Sequence, residues 1–206
     1  MKGNREKKGE MLLKACENGN IFQVYDIINS SSLNNDNIVN YTCMKTYETP
    51  LHTSFEYGHK DIFKLLLLNG AEPTTPIKNL SFVKCLIENN VDVNKRYGRK
   101  KETMLHKACE EGNEDIIRYL LTVPNINVNT KDRYSLTCLH TLLLDYICVY
   151  DDSDEKKKRL FHLLLDTNLF DLNCVDNRGF TLEECLDFDN YYLEKLLSYK
   201  SLIFSK

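Results

Sequence analysis

Three histidines recur at one kind of position in this chain of 206 residues: His52 in TPLH, His106 in TMLH and His140 in TCLH. A histidine that titrates near neutrality is the common general acid or base, and a neighbouring cysteine such as Cys109 or Cys138 would be its nucleophile. That chemistry also needs an orienting third group and donors for an oxyanion, and neither stands near any of the pairs. One structural role explains all three histidines at once, whereas catalysis would require three separate sites. His59 and His162 are expected on exposed faces of helices, and no metalloprotease-type His pair is present.

The eight cysteines, at positions 16, 43, 85, 109, 138, 148, 174 and 185, form no Cys-x-x-Cys pair. They are read as small buried side chains in a reducing compartment. The acids Asp151, Asp152, Asp154 and Glu155 lack calcium-loop spacing and run directly into Lys156, Lys157, Lys158 and Arg159, as a solvated loop would. The eight glycines make neither a phosphate-binding loop nor a dinucleotide fingerprint. The expectation is therefore no catalytic residue, no cofactor, no metal and no enzyme.

Bulk properties narrow the partners. The net charge is −3 and the charged fraction 28%, which does not suit a dedicated nucleic-acid binder. The longest apolar runs, such as Leu65 to Leu68, fall far short of the roughly 20 residues that cross a bilayer, and the N-terminal MKGNREKKGE has no apolar signal region. The chain is expected to be soluble and cytoplasmic, or nuclear, with no nucleic-acid or membrane partner, and monomeric when free.

The elements that position these residues come from a periodic signal. An aliphatic or Phe residue followed at +3 and +4 by two more lines one face of a helix. This triple occurs at Val24, Phe63, Val83, Ile117, Leu160 and Leu193, with spacings of 39, 20, 34, 43 and 33 residues. Upstream lie MLLKACENGN, TPLHTSFEYGH, TMLHKACEEGN and TCLH. Thr49, Thr103 and Thr137 stand where a helix N-cap is wanted, with Pro50 at a first helical position. Gly19, Gly58 and Gly112 fall in the turn between two helices, and Gly70 and Asn90 at a helix end, where left-handed backbone is required.

This pattern resembles the ankyrin repeat, with NNVDVN and INVN similar to its ending, over nearly the whole chain. The resemblance implies an all-α, ankyrin-type solenoid of about six helix-turn-helix repeats with short β-hairpin turns. The expected organisation is a single repeat domain, 1–206, with repeats near 9–40, 47–72, 73–94, 95–129, 131–173 and 174–200. The third repeat has no room for a first helix, a charged insertion is expected at 146–158, and 30–46 is longer than a turn. The loss of consensus from Pro73 to Ser81 suggests that the two halves unfold separately. The last unit keeps Gly179 and Thr181 but not the Leu-His pair, as a capping repeat would.

For such a family the implied function is protein–protein interaction: a non-enzymatic adaptor or inhibitor that grips a partner by its concave hairpin and first-helix face. Tyr and Arg are the types that anchor interfaces, so the candidate contact residues by position are Tyr47, Arg96, Tyr97, Arg99, Lys100, Arg133, Tyr134, Asn177, Arg178 and Phe180. Thr49, His52, Gly58, Thr103, His106, Gly112, Thr137 and His140 are the structural repeat residues. Irregular repeat lengths and an Asn-, Lys-, Ile- and Tyr-rich composition are similar to ankyrin proteins of large DNA viruses such as poxviruses. That likeness implies a modulator of host innate signalling in the host cytoplasm. The chain ends at SLIFSK, which leaves no room for the F-box-like segment of many viral relatives. The resemblance also places Asn94, Asn129 and Asn173 at the repeat-ending position that an asparaginyl hydroxylase can modify in similar ankyrin domains. The alternative class is a structural subunit, docked permanently in an assembly by its two insertions.

Overall fold

The computed structural model describes residues 2–32, 37–73, 79–147, 155–185 and 190–204. Among them the architecture is all-α: α1 (Lys2–Glu17), α2 (Ile21–Ser32), α3 (Pro50–Glu56), α4 (Lys60–Leu68), α5 (Leu80–Glu88), α6 (Met104–Glu110), α7 (Glu114–Thr122), α8 (Cys138–Ile147), α9 (Glu155–Leu165), α10 (Leu182–Cys185) and α11 (Asn190–Phe204). The chain divides into two compact units, residues 1–75 with 84–90, and residues 76–83 with 91–206.

In the first unit α1 packs on α2 and α3, and α3 on α4. Leu12, Val24, Leu51, Phe63 and Leu66 fill its interior at 2% exposure or less. The long segment after α2 is not an idle insertion. It forms a 3-10 turn, Ile38–Asn40, whose Ile38 and Val39 are buried against the unit. Tyr41 then lies directly over Gly9, where a Cβ would collide with its ring. Helix α1 begins well before Glu10, the expected start of the first repeat.

In the second unit α6 packs on α7 and α8, and α8 on α9. The triple of α7 shows why a nine-residue helix suffices: Ile116, Ile117 and Leu120 have no exposed area while Glu114 and Arg118 face water and pair at 2.7 Å. Asn113 caps this helix by accepting from the Ile116 amide. Between Leu68 and Leu80 the described residues 69–73 and 79 are not helical, and the rest of the segment expected to lack a first helix, 74–78, lies outside the described residues. The charged insertion differs from expectation: α8 runs to Ile147 and Glu155 to Lys158 form the first turn of α9. Residues 148–154 lie outside the described residues.

The Thr-x-x-His motif is an N-cap device. Thr103 Oγ1 accepts from the His106 amide, while His106 Nδ1 accepts from the Thr103 amide at 3.3 Å and from its hydroxyl at 2.8 Å. Nδ1 is then an acceptor, so the proton sits on Nε2, which donates to the Leu136 carbonyl of the next repeat at 3.0 Å. Thr137 with His140 repeats the local pattern, and Thr49 holds His52 at 3.1 Å. His140 Nε2 finds no hydrogen-bond partner among the described residues. In the last unit Glu184 takes the histidine's place: Thr181 donates its amide and hydroxyl to the carboxylate at 2.7 and 3.0 Å, and the Glu184 amide returns to Thr181 Oγ1. The box survives with a different acceptor.

A second device joins successive units of the ladder. The Asn94 side chain donates to the Asn125 carbonyl at 2.8 Å and accepts from the Asn127 amide at 2.7 Å. Asn129 makes the same pair with Leu169 and Asp171, and Asn40 with Gly70 and Glu72. Asn40 escaped the sequence reading because the insertion hides its repeat position. Asn173 makes no such bridge among the described residues. Replacing Asn94 by Ala leaves one amide and one carbonyl without this partner, so urea denaturation should show a loss of about 1–2 kcal/mol. Asn173→Ala should stay within about 0.5 kcal/mol of the parent.

Candidate functional site

The hairpins that enter the first helices hold most of the candidate contact residues. Expected as short β-hairpin turns, they carry no strand among the described residues, only isolated bridges between Tyr97 and Glu102 and between Val175 and Thr181. One backbone feature recurs two residues before each capping threonine. Tyr47, Lys101, Ser135 and Gly179 occupy that one position with φ of 60°, 58°, 62° and 87°. Such a left-handed residue turns the chain toward the helix that follows, and for a residue with a Cβ it costs roughly 1 kcal/mol or more. Glycine suits the position; Tyr47 and Lys101 hold it while projecting into solvent.

Within the second unit three hairpins are laced side by side. The Arg133 amide donates to the Lys100 carbonyl at 2.7 Å and the Asn177 amide to the Tyr134 carbonyl at 3.0 Å. Arg96 Nη1 reaches the Lys131 carbonyl and Lys131 Nζ the Val175 carbonyl, both at 3.1 Å. The result is one continuous row in which Arg99, Lys100 and Lys101 stand beside Arg133 and Tyr134, and these beside Asn177, Arg178 and Phe180. Two buried carboxylates shape it. Asp132 accepts from the Tyr134 and Leu136 amides, and Asp176 from those of Arg178 and Phe180. The Asp176 carboxyl is desolvated by burial, yet the hydrogen bonds and Arg178 hold it below the usual carboxylate range.

The candidate residues do not fare alike. Tyr134 is 46% exposed and Phe180 45%, with the Arg178 guanidinium 5.3 Å above the Phe180 ring. Arg133, Asn177 and Arg99 are exposed. Tyr97 is a correction: at 6% exposure it is part of the hairpin's packing, beneath Lys95, and its ring is not open to a partner. Lys100 is exposed but committed, 3.0 Å from Glu110 and 3.6 Å from the buried Glu102, which also binds Lys107. Arg178 is partly committed through 2.8 Å contacts to Asp176. Tyr47, 65% exposed, belongs to the first unit. Lys101 belongs to the basic cluster Lys95, Arg96, Arg99, Lys100 and Lys101 that the sequence places around Gly98 at a hairpin tip, and its exposure at a glycine-type backbone position adds it to the contact candidates.

Residue types that do chemistry are placed otherwise. Burial pushes His52 and His140 down to about 4 and lowers His106 as well. Six described cysteines are free thiols. Cys109 and Cys138 meet between α6 and α8, where their mutual hydrogen bond and burial raise the Cys109 thiol far above its ordinary value. Cys16 is raised to about 12 by burial, whereas hydrogen bonds from Thr46 lower Cys43. Iodoacetamide at neutral pH should therefore label Cys43 first and leave Cys16, Cys109 and Cys138 intact in the folded chain, as read by peptide mass mapping. Equal labelling of Cys16 and Cys43 would contradict the burial of α1. No group of three His, Cys, Asp or Glu side chains suited to a metal ion exists among the described residues. No helix there is long and apolar enough to cross a membrane.

Models of the ankyrin repeat match two stretches, a single repeat over residues 46–76 and a three-copy array over residues 75–149. The chain carries ankyrin repeats. The crystal structure of EF0377, an ankyrin repeat protein, superimposes with a TM-score of 0.56 at 19% sequence identity, covering 91% of this chain and 96% of that one. The fold is thus all-α and ankyrin-type, and ankyrin repeats are in general non-enzymatic modules that bind other proteins. In that frame the laced row is the hairpin edge of the repeats, and α6 and α8 are first helices.

Proposed function

We propose that this chain is a non-enzymatic adaptor or inhibitor that binds a partner protein through the hairpin edge and first helices of its repeats, within a single repeat domain that spans 1–206. The observation that supports this reading is the left-handed position two residues before the capping threonine. Tyr47 and Lys101 are held there, exposed, in a conformation that glycine would adopt without strain. Strain retained at an exposed position points to a use for the side chain. Tyr134 and Phe180 add aromatic area at half exposure, and Tyr and Arg are the types that dominate interface energetics. The irregular repeats and composition support a setting in the host cytoplasm, as a viral modulator of innate signalling.

A permanently docked structural subunit is the second reading, and one observation favours it: Phe22 on α2 is 82% and Leu68 on α4 86% exposed, apolar side chains that a docked neighbour would cover. Affinity purification of the tagged chain with mass spectrometry, beside gel filtration of the chain alone, separates the two. A monodisperse monomer that recovers signalling proteins supports the adaptor. An aggregating orphan found only in a fixed-stoichiometry complex supports the subunit, and recovery of no protein at all sinks both.

A further inference from the structure

The three laced hairpins concentrate positive charge. Over residues 95–102, 131–137 and 175–181 they carry eight Lys and Arg, at 95, 96, 99, 100, 101, 131, 133 and 178, against three acids, with exposed Asp92 and Asp171 just before the first and third, in a chain whose net charge is −3. All three acids are engaged from within. Glu102 is buried against Lys100 and Lys107, and Asp132 and Asp176 are buried on turn amides. Lys100 has its carboxylates, Arg178 has Asp176, Arg96 and Lys131 hold carbonyls, and Lys95 lies 5.6 Å over the Tyr97 ring. Arg99, Lys101 and Arg133 remain: exposed, on adjacent hairpins joined by the Arg133–Lys100 backbone bond, and with no acidic partner among the described residues. Tyr134 and Phe180 continue the row.

We infer that the hairpin edge of the second unit binds an acidic, aromatic-bearing segment of a partner protein, with Arg99, Lys101 and Arg133 as its carboxylate contacts and Tyr134 and Phe180 receiving the aromatic side chain. This rests on the protein-binding reading and gives its partner a chemistry. Charge complementarity argues for it: three unpaired cations in a row attract a polyanion, and the half-exposed aromatics receive an apolar side chain. A peptide segment fits better than a nucleic acid. A duplex would extend beyond the tips over a body whose remaining charge is negative, while a short acidic segment meets only the basic row. The backbone at Lys101 fits as well, since an exposed lysine held at φ 58° presents its charge at a cost that glycine would avoid.

The test is fluorescence anisotropy with a labelled peptide of alternating Asp and Glu with one central Tyr, at low and physiological salt. Saturable binding that weakens with salt is expected, with a loss of about tenfold or more in the variant R99E/K101E/R133E. Reversal of two exposed lysines on α4, K60E/K64E, should change nothing. Lys101→Gly relieves the left-handed strain, so it should bind the peptide several-fold more weakly while its urea midpoint does not fall; that separates lost contact from lost fold. Absence of binding to the parent chain, an equal loss in K60E/K64E, or tighter binding of a single-stranded oligonucleotide or of phosphatidylserine vesicles overturns the inference. If affinity purification still recovers a partner that R99E/K101E/R133E retains, the acidic-segment inference fails alone. If no partner is recovered by either form, the protein-binding reading fails with it.

Discussion

Between pH 7.5 and pH 5 the folded chain should lose several kcal/mol of stability, and the three cap histidines are the cause. His52 and His140 fall from an ordinary value of 6.5 to about 4 on folding, and His106 shifts the same way. Burial is the main reason, and Nδ1 of His106 and of His140 already accepts from its threonine, so a proton there would also displace those bonds. A base whose folded pKa is depressed binds its proton more readily in the unfolded chain. The folded state keeps its full advantage above pH 6.5, and stability falls as the pH drops from 6.5 toward 4. At pH 5 the loss is about 2 kcal/mol each for His52 and His140, and His106 adds to it in the same direction. Glu110, Asp176 and Glu184 lie below their ordinary values, so their contributions fade at lower pH and leave this window to the histidines. Urea midpoints followed by circular dichroism at successive pH values measure the effect. A midpoint that is flat from 7.5 to 5 would show that these imidazoles are not buried as neutral acceptors. His140→Gln should reduce the pH dependence of the second unit, where His106 keeps the remainder, while leaving that of the first.

The second large effect is expected at Phe161, on α9. Its ring meets Tyr192 of α11 edge to face, with centroids 5.1 Å apart and planes at 88°, and neither residue has exposed area. Truncation to Ala removes the buried ring and leaves a cavity at a cost of about 3–5 kcal/mol. Part of that, about 1 kcal/mol, is the aromatic pair itself, which a double-mutant cycle with Tyr192→Leu isolates. Repeat arrays lose order locally, so hydrogen exchange should accelerate first in α9 and α11 and last in α6. A change below about 1 kcal/mol, or acceleration that begins in α6, would refute the assigned packing.

How much of this was legible beforehand depends on the range of the interaction. The aliphatic triples, the capping threonines and the turn glycines act within one helix pair, and their spacing in sequence is their spacing in space. Gly19, Gly58, Gly70, Gly112 and Asn90 all have positive φ, as the helix boundaries require. Short-range compensation was harder to see: Glu184 supplies the cap of a unit that lacks its histidine, and Glu155 to Lys158 turn into helix once Leu160 and Phe161 have a core to enter.

The edge was the least legible part. Helix pairs of ankyrin type follow from the amino-acid order alone, because the apolar period and caps are local. The same order gathers Tyr and basic residues in the hairpins. Which of them face outward depends on how the hairpins stack. Tyr97 turned inward because its backbone pairs with Glu102, and Lys100 was neutralised because α6 brings Glu110 to it. Lys101, Arg99 and Arg133 were left open on adjacent tips, because the neighbouring backbones bond and no carboxylate reaches them. Asn40, Asn94 and Asn129 reach across about thirty to forty residues of chain to hold the next hairpin. Such pairings depend on stacking distance, which no local pattern encodes.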